Sequence, residues 1–412
     1  MSIAPNFSAA RALAGTALFS PVTIGLMKLQ HRVCMAPMGR LRAIEYKPDE
    51  WISTDLAAEY YGQRATEGGF QITESTPISR LAAGYPRIAG IYTDKQVESW
   101  KSVTKAVHRK GGYIFCQIWH TGRATIPEYL NGEIPVSSSA VPLPGNFIGP
   151  GPKEYIPATP RALSVTEIGG ILNDFAASAQ RSLDAGFDGV EIHGANGYLL
   201  DQFMHDNVNK RTDQYGGSIE NRCRFPLEVI QSVSSAIGGE RVGIRLTPFN
   251  YWHGTRDSDP MTHWRYLCTK IAELPKGQRP AYVHMINPEY DEVLSKADKI
   301  KSLATSSVSE TSAEEYSLKP FREILQSADI RFLVAGNYDG RNALPAIETG
   351  LADGVVIGRH FLANPDLPKR LSEGLPLNEW DRSTFYGADP PQKGYTDYPF
   401  YNQKDAAAAA QA

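Results

Sequence analysis

The chain has 412 residues, with 42 Lys+Arg against 45 Asp+Glu, a formal net charge of -3 and a pI near 6.3. That length suits one large α/β barrel with insertions, and that charge balance leaves no basic field to hold a nucleic acid backbone. No apolar run approaches the roughly 20 residues that span a bilayer, so neither a membrane nor a nucleic acid is expected as a partner.

The stretch from Ala12 to Phe19 is mildly apolar and follows Arg11, but it has no long apolar region and leads straight into strand-like sequence, unlike a secretory signal. Eight short apolar runs then fit parallel strands covered on both faces: Val33 to Pro37, Phe70 to Glu74, Tyr113 to Ile118, Gly189 to His193, Val242 to Leu246, Ala281 to Ile286, Arg331 to Ala335 and Gly354 to Ile357. Helix-like segments lie between them, at Asp55 to Thr66, Asp94 to Lys110, Val165 to Ala185, Glu220 to Ile237, His263 to Leu274, Leu318 to Ser327 and Gly340 to Thr349. A doubly wound sheet can be written from such a pattern, but eight strand-helix units favour a single closed (β/α)8 TIM barrel over residues 1–403.

Two insertions interrupt the alternation. Ala124 to Ala162 carries eight prolines, too many for a helix, and is expected to form an irregular excursion beside the barrel mouth, either a gating loop or a packing flap. Asn287 to Ser317 is rich in Ser, Thr, Glu and Lys and follows the sixth strand, which places it on the functional face. The alanine-rich residues 404–412 are expected to be a disordered tail with no assigned role. Cys34, Cys116, Cys223 and Cys268 form no C-x-x-C pair, so no metal site is indicated, and they read as buried thiols of a reducing, cytoplasmic compartment.

In a closed barrel the chemistry collects where strands end. Glu74, Gln117, Trp119, His193, Asn196, Arg245, Asn337 and Arg359 all end or closely follow a proposed strand. The densest such end is Val190-Glu191-Ile192-His193-Gly194-Ala195-Asn196-Gly197-Tyr198. His193 and Asn196 can each donate a hydrogen bond to one substrate oxygen, and Tyr198 adds a phenol able to deliver a proton. By itself, an H-x-x-N-x-Y is more often a set of packing and capping residues.

No G-x-G-x-x-G follows a strand, so a Rossmann cleft is not indicated. Ala335-Gly336-Asn337 after the seventh strand and Ile357-Gly358-Arg359 after the eighth instead put exposed backbone N–H groups and an Arg where barrels bind phosphate. Arg245 lies in an otherwise apolar strand, where an unpaired cation is costly. It calls for an anionic partner, either a bound cofactor or a structural salt bridge.

With Asn209-Lys210-Arg211-Thr212-Asp213-Gln214-Tyr215-Gly216-Gly217-Ser218-Ile219-Glu220-Asn221-Arg222 downstream, the His193 run resembles the signature region of the Old Yellow Enzyme family of FMN-dependent ene-reductases. The resemblance runs from Leu18-Phe19-Ser20-Pro21 to Gly394-Tyr395-Thr396-Asp397-Tyr398-Pro399 and takes in Ala36-Pro37-Met38, Gln117-Ile118-Trp119 and Thr384-Phe385-Tyr386. It implies FMN as cofactor, NADPH or NADH as co-substrate and a small enone or enal as substrate. A fungal-type member, monomeric or homodimeric and serving secondary metabolism, fits this resemblance.

Carried over position by position, Pro37, Met38, Gly39, Gln117 and Arg245 would contact the flavin ring, and Gly336, Asn337, Gly358 and Arg359 its phosphate. His193 and Asn196 would hold the substrate carbonyl so that the β-carbon accepts hydride from flavin N5, and Tyr198 would protonate the α-carbon. Trp119, Phe385 and Tyr386 would shape the substrate end, and no metal is implied. Two residues depart from the pattern: Gly39 stands where yeast and plant members carry Thr and many bacterial members Cys, and Ser75 where Gly or Ala is usual. The alternative within the family is an isomerase or a biosynthetic flavoprotein of restricted substrate. Tyr198 favours reduction, since isomerising fungal relatives carry Phe there.

Overall fold

The computed structural model describes residues 11–145, 147–148, 154–249, 251–290 and 316–401. The apolar runs become strands whose residues are buried on both faces, as a helix-covered parallel sheet requires. They are β1 (Val33–Met35), β2 (Phe70–Ile72), β3 (Tyr113–Trp119), β4 (Gly189–Gly194), β5 (Val242–Leu246), β6 (Tyr282–Ile286), β7 (Arg331–Ala335) and β8 (Gly354–Ile357). All pair in parallel with their chain neighbours, and β8 pairs back onto β1, so the sheet is a closed (β/α)8 barrel.

The helices alternate with them: α1 (Asp55–Arg64), α2 (Asp94–His108), α3 (Val165–Asp184), α4 (Ile219–Ile237), α5 (Pro260–Glu273), α6 (Lys319–Ser327), α7 (Ala343–Glu348) and α8 (Leu367–Glu373). Local chemistry sets their starts. Thr93 with Gln96 and Ser164 with Glu167 close reciprocal capping boxes at α2 and α3, each cap worth about 1 kcal/mol. α5 begins three residues before the predicted His263, because Asp259 accepts the Thr262 N–H and Pro260 fits the first helical position. α7 begins later than predicted, because Asn342 accepts the Asp339 N–H at 2.7 Å and holds 339–342 in a turn. The sequence pattern did not anticipate the short helices Leu199–Met204 and Arg359–Ala363.

A hairpin of Val22–Ile24 and Met27–Leu29 closes the far end of the barrel, its Ile24, Met27 and Leu29 packing with interior residues such as Phe70, Phe115 and Leu333. Strand register then decides what gathers at the open end. Glu191 on β4 stands beside Gly243 on β5, and Gly243 beside Tyr282 on β6; two residues on, His193 stands beside Arg245, and Arg245 beside His284.

The described part of the proline-rich excursion holds only a 3-10 turn, Pro127–Tyr129, and two-residue strands, as its composition predicts. Most of the polar loop, residues 291–315, lies outside the described residues, as does the tail 404–412. All four cysteines are buried and unpaired. Among the described residues no helix is long and apolar enough to cross a membrane.

Candidate active site

After β4 the chain turns sharply, with Asn196 at φ +57° and Gly197 at φ +72°. Side chains from elsewhere fix that turn. Thr247 Oγ1 accepts the Asn196 N–H at 2.9 Å, an Asp201 carboxylate oxygen accepts the Gly197 N–H at 2.7 Å, and the His253 Nδ1–H donates to the Asn196 carbonyl at 2.8 Å. Gly197 is required: a Cβ there would lie 2.4 Å from the Trp252 carbonyl oxygen, in left-handed backbone that side chains disfavour.

This turn determines the state of His193. The Ala195 N–H donates to His193 Nδ1 at 3.3 Å. Burial holds the imidazole pKa well below its usual value, and Arg245, His284 and His253 add to the effect. A neutral ring whose Nδ1 accepts must carry its proton on Nε2, so His193 presents one N–H donor and no charge.

Tyr198 opens the helix Leu199–Met204, and its ring meets those of His193 and Trp119 edge-on at 5.0 Å each. Its hydroxyl is hydrogen-bonded to Tyr85, whose ring stacks on Trp119 at 5.8 Å. Burial pushes the Tyr85 phenol up, and the bond with Tyr198 opposes that shift. Tyr85 was not among the sequence candidates. It comes from the loop after β2, and its one signal is an aromatic residue between Gly84 and Pro86 in a loop on the functional face. The excursion covers this group, with Ala124, Ile126 and Leu143 packing around Tyr85, Tyr129, Tyr155 and Tyr198.

Gln117 on β3 is fully buried and held on both sides, its Nε2 donating to Glu191 at 2.7 Å and its Oε1 accepting from Ser75 at 2.6 Å. Ser75, an outlier in the sequence comparison, thus has a partner. Arg245 is half-buried, near the open end of β5. Pro37, Met38 and Gly39 are half-buried after β1, and a Cβ at Gly39 would meet nothing within 4 Å.

The ends of β7 and β8 come together through Tyr290. Gly336, at φ +112°, would place a Cβ 2.9 Å from Tyr290 Cβ, and Arg359 Nη2 donates to Tyr290 Oη at 3.3 Å. A Cβ at Gly358 would sit 3.4 Å from Met38 Sδ, so these residues adjoin the β1 loop. Asn337 is exposed, in left-handed backbone, and its carbonyl accepts from Asn342.

The C-terminal segment is bound down by two buried arginines. Arg40 donates to the Phe385 and Gly394 carbonyls at 3.0 and 2.7 Å, and Arg42 to those of Thr384, Pro391 and Lys393. Phe385 is buried and Tyr386 is exposed, and Tyr386 adds to the upward shift of the Tyr85 phenol.

Seven of the nine histidines have pKa values lowered by burial: His31, His253 and His360 to about 4, His120 to about 3, and His193, His263 and His284 in the same direction. His108, hydrogen-bonded to Asp188, and His205, where burial is outweighed by Asp201 and Asp257 together, are raised. Below the unfolded value of about 6.5 the unfolded chain therefore binds more protons. Stability present above that pH is lost as pH falls towards 4. A melting temperature that drops steadily from pH 7 to pH 4.5 is the expected result; a flat profile would contradict it.

These residues suit a flavin mononucleotide. The left-handed backbone at Gly336, too crowded for a side chain, and the Arg359 cation match a phosphate, while Gln117 and Arg245 supply amide and cationic groups suited to the polar edge of a ring. The indole Nε1 of Trp119 and the Nε2 of His284 are buried without a partner among the described residues. Fold and site together define a flavin-dependent oxidoreductase built on a (β/α)8 barrel.

The model of the NADH:flavin oxidoreductase / NADH oxidase family matches residues 17–378. The chain is 53% identical over 383 residues to the flavin oxidoreductase hxnT of Emericella nidulans, covering 93% of this chain and 97% of that one. It is 44% identical over 395 residues to 12-oxophytodienoate reductase 1 of Oryza sativa subsp. japonica, covering 96% of each. The structure of morphinone reductase superposes with a TM-score of 0.81 at 40% identity, covering 97% of this chain and 98% of that one. The chain belongs to the Old Yellow Enzyme family of NADH:flavin oxidoreductases. It is an oxidoreductase with FMN as cofactor and a nicotinamide dinucleotide as co-substrate.

Proposed function

We propose that the protein is an ene-reductase acting on the double bond of a small α,β-unsaturated aldehyde or ketone. The observation that carries this reading is the single-donor state of His193, fixed by the Ala195 N–H and placed edge-on to the Tyr198 phenol. When bound and reduced, FMN would supply the hydride that the β-carbon accepts. His193 Nε2–H and the Asn196 side chain bind the carbonyl oxygen and stabilise the negative charge that develops on it; both are neutral and pre-aimed, so no proton has to move first. Tyr198 then gives its phenolic proton to the α-carbon, with Tyr85 holding the hydroxyl in place.

Pro37, Met38, Gly39, Gln117 and Arg245 would hold the cofactor at its ring, and Gly336, Asn337, Gly358 and Arg359 at its phosphate. Trp119, Phe385 and Tyr386 would bound the substrate end. Four buried, unpaired thiols favour a reducing compartment, and a cytoplasmic location belongs to this reading.

The test is an anaerobic absorbance titration of the purified protein. NADPH should bleach the flavin spectrum and 2-cyclohexenone should restore it. Bleaching without recovery would favour the isomerase or restricted-substrate alternative, and no flavin spectrum would overturn the reading. Gly39→Thr should fit without strain, because its Cβ meets nothing within 4 Å. If Gly39 lies against the ring, the added hydroxyl donor should raise the flavin midpoint potential by about 30 mV, the two-electron equivalent of one hydrogen bond of about 1.4 kcal/mol. A redox-dye titration would measure the shift.

A further inference from the structure

Glu191 is a fully buried carboxylate inside the barrel, two residues before His193. Burying an ionised carboxylate is unfavourable unless hydrogen-bond donors surround it. Three do so: Gln117 Nε2 at 2.7 Å on one oxygen, and Tyr282 Oη at 3.1 Å and His284 Nδ1 at 3.0 Å on the other. Tyr282 lies two strands away and reaches Glu191 because Gly243 intervenes, where a Cβ would lie 2.1 Å from Tyr282 Cζ. The empty position on β5 is therefore the passage for the tyrosine ring.

A carboxylate only accepts, so its neighbours have no choice of orientation. Gln117 must turn its NH2 towards Glu191 and its oxygen towards Ser75, and His284 must carry its proton on Nδ1. One layer up, His284 stands beside Arg245, and Arg245 beside His193. We propose that Glu191 is a positioning residue of the flavin site. It sets the donor and acceptor sense of Gln117 and His284 and places a fixed negative charge beneath Arg245. The proposal rests on the reading of Gln117 and Arg245 as flavin contacts.

Glu191→Gln keeps the volume but has one accepting and one donating end, so it cannot satisfy all three donors. It also removes a charge that disfavours adding electrons to a nearby cofactor. Two results are expected in the FMN-reconstituted protein. The equilibrium constant for two-electron reduction should rise about tenfold, a midpoint shift of about +30 mV. The FMN dissociation constant, measured by flavin fluorescence with stripped protein, should also rise about tenfold.

Gln117→Leu separates the two ideas. If it leaves FMN affinity unchanged, Gln117 is not a flavin contact and the proposal falls with that reading. If Gln117→Leu weakens FMN but Glu191→Gln changes neither affinity nor potential, Glu191 is merely structural and the proposal alone is overturned. In the double variant, the affinity losses should fail to add, since one residue acts through the other. Should Glu191→Gln not fold, Tyr282→Phe removes one of the same three donors. It keeps the Glu191 charge but leaves it less compensated, so the potential should fall, and an unchanged or raised potential would overturn the proposal.

Discussion

Tyr198→Phe is expected to lower alkene reduction by about 10²- to 10⁴-fold, the usual contribution of a positioned proton donor. Reduction of the flavin by NADPH should be unaffected, because it needs no proton from this phenol. The ring keeps its edge contacts with His193 and Trp119 at 5.0 Å, so the packing survives the change. The loss of one hydroxyl also frees the Tyr85 phenol of its partner. Stopped-flow measurement of the two half-reactions separates the outcomes. A slow reoxidation by 2-cyclohexenone after a normal reduction supports the proton-donor role; unchanged reoxidation removes Tyr198 from it.

Removing both carbonyl donors, with His193→Ala and Asn196→Ala, should have an effect of the same order. One pre-aimed donor is worth about 10²- to 10³-fold in rate, and two acting on one oxygen are not expected to multiply fully. The clearer readout is equilibrium binding of a phenol. A phenolate mimics the enolate formed during reduction, so its charge-transfer band with the flavin should need a much higher phenol concentration to appear. The backbone turn should survive. Thr247 and His253 hold it through the Asn196 backbone and Asp201 through Gly197, although the Ala195 N–H loses its acceptor on His193 and an alanine at 196 must take left-handed backbone. An undiminished band would assign oxygen binding to other groups.

The barrel was legible because period and punctuation carry it. Parallel strands buried on both faces must be short and apolar, and β5, β7 and β8 have the bounds that their apolar runs predict. Helix limits were less legible where they depend on side-chain capping, as at Asp259 and Asn342. The core of the site was legible for a related reason. His193, Asn196 and Tyr198 lie within six residues, so one strand end and one tight turn deliver all three. Tyr85 was not, because a loop residue joins them only after the barrel has closed.

The amino-acid sequence by itself thus determined the eightfold alternation, the end of the barrel where the candidate residues gather and the residue types at the strand ends. Those follow from local hydrophobic period and from turn chemistry, which need only near neighbours. Tertiary structure alone decided the states of those residues. Whether His193 is charged depends on burial and on Arg245, His284 and His253 from other strands and loops. Which way Gln117 points depends on Glu191 and Ser75, and whether Tyr282 reaches Glu191 depends on the register that puts Gly243 between them. Protonation and hydrogen-bond sense are set by groups far apart in the chain, so they exist only once register and closure have brought those groups within contact.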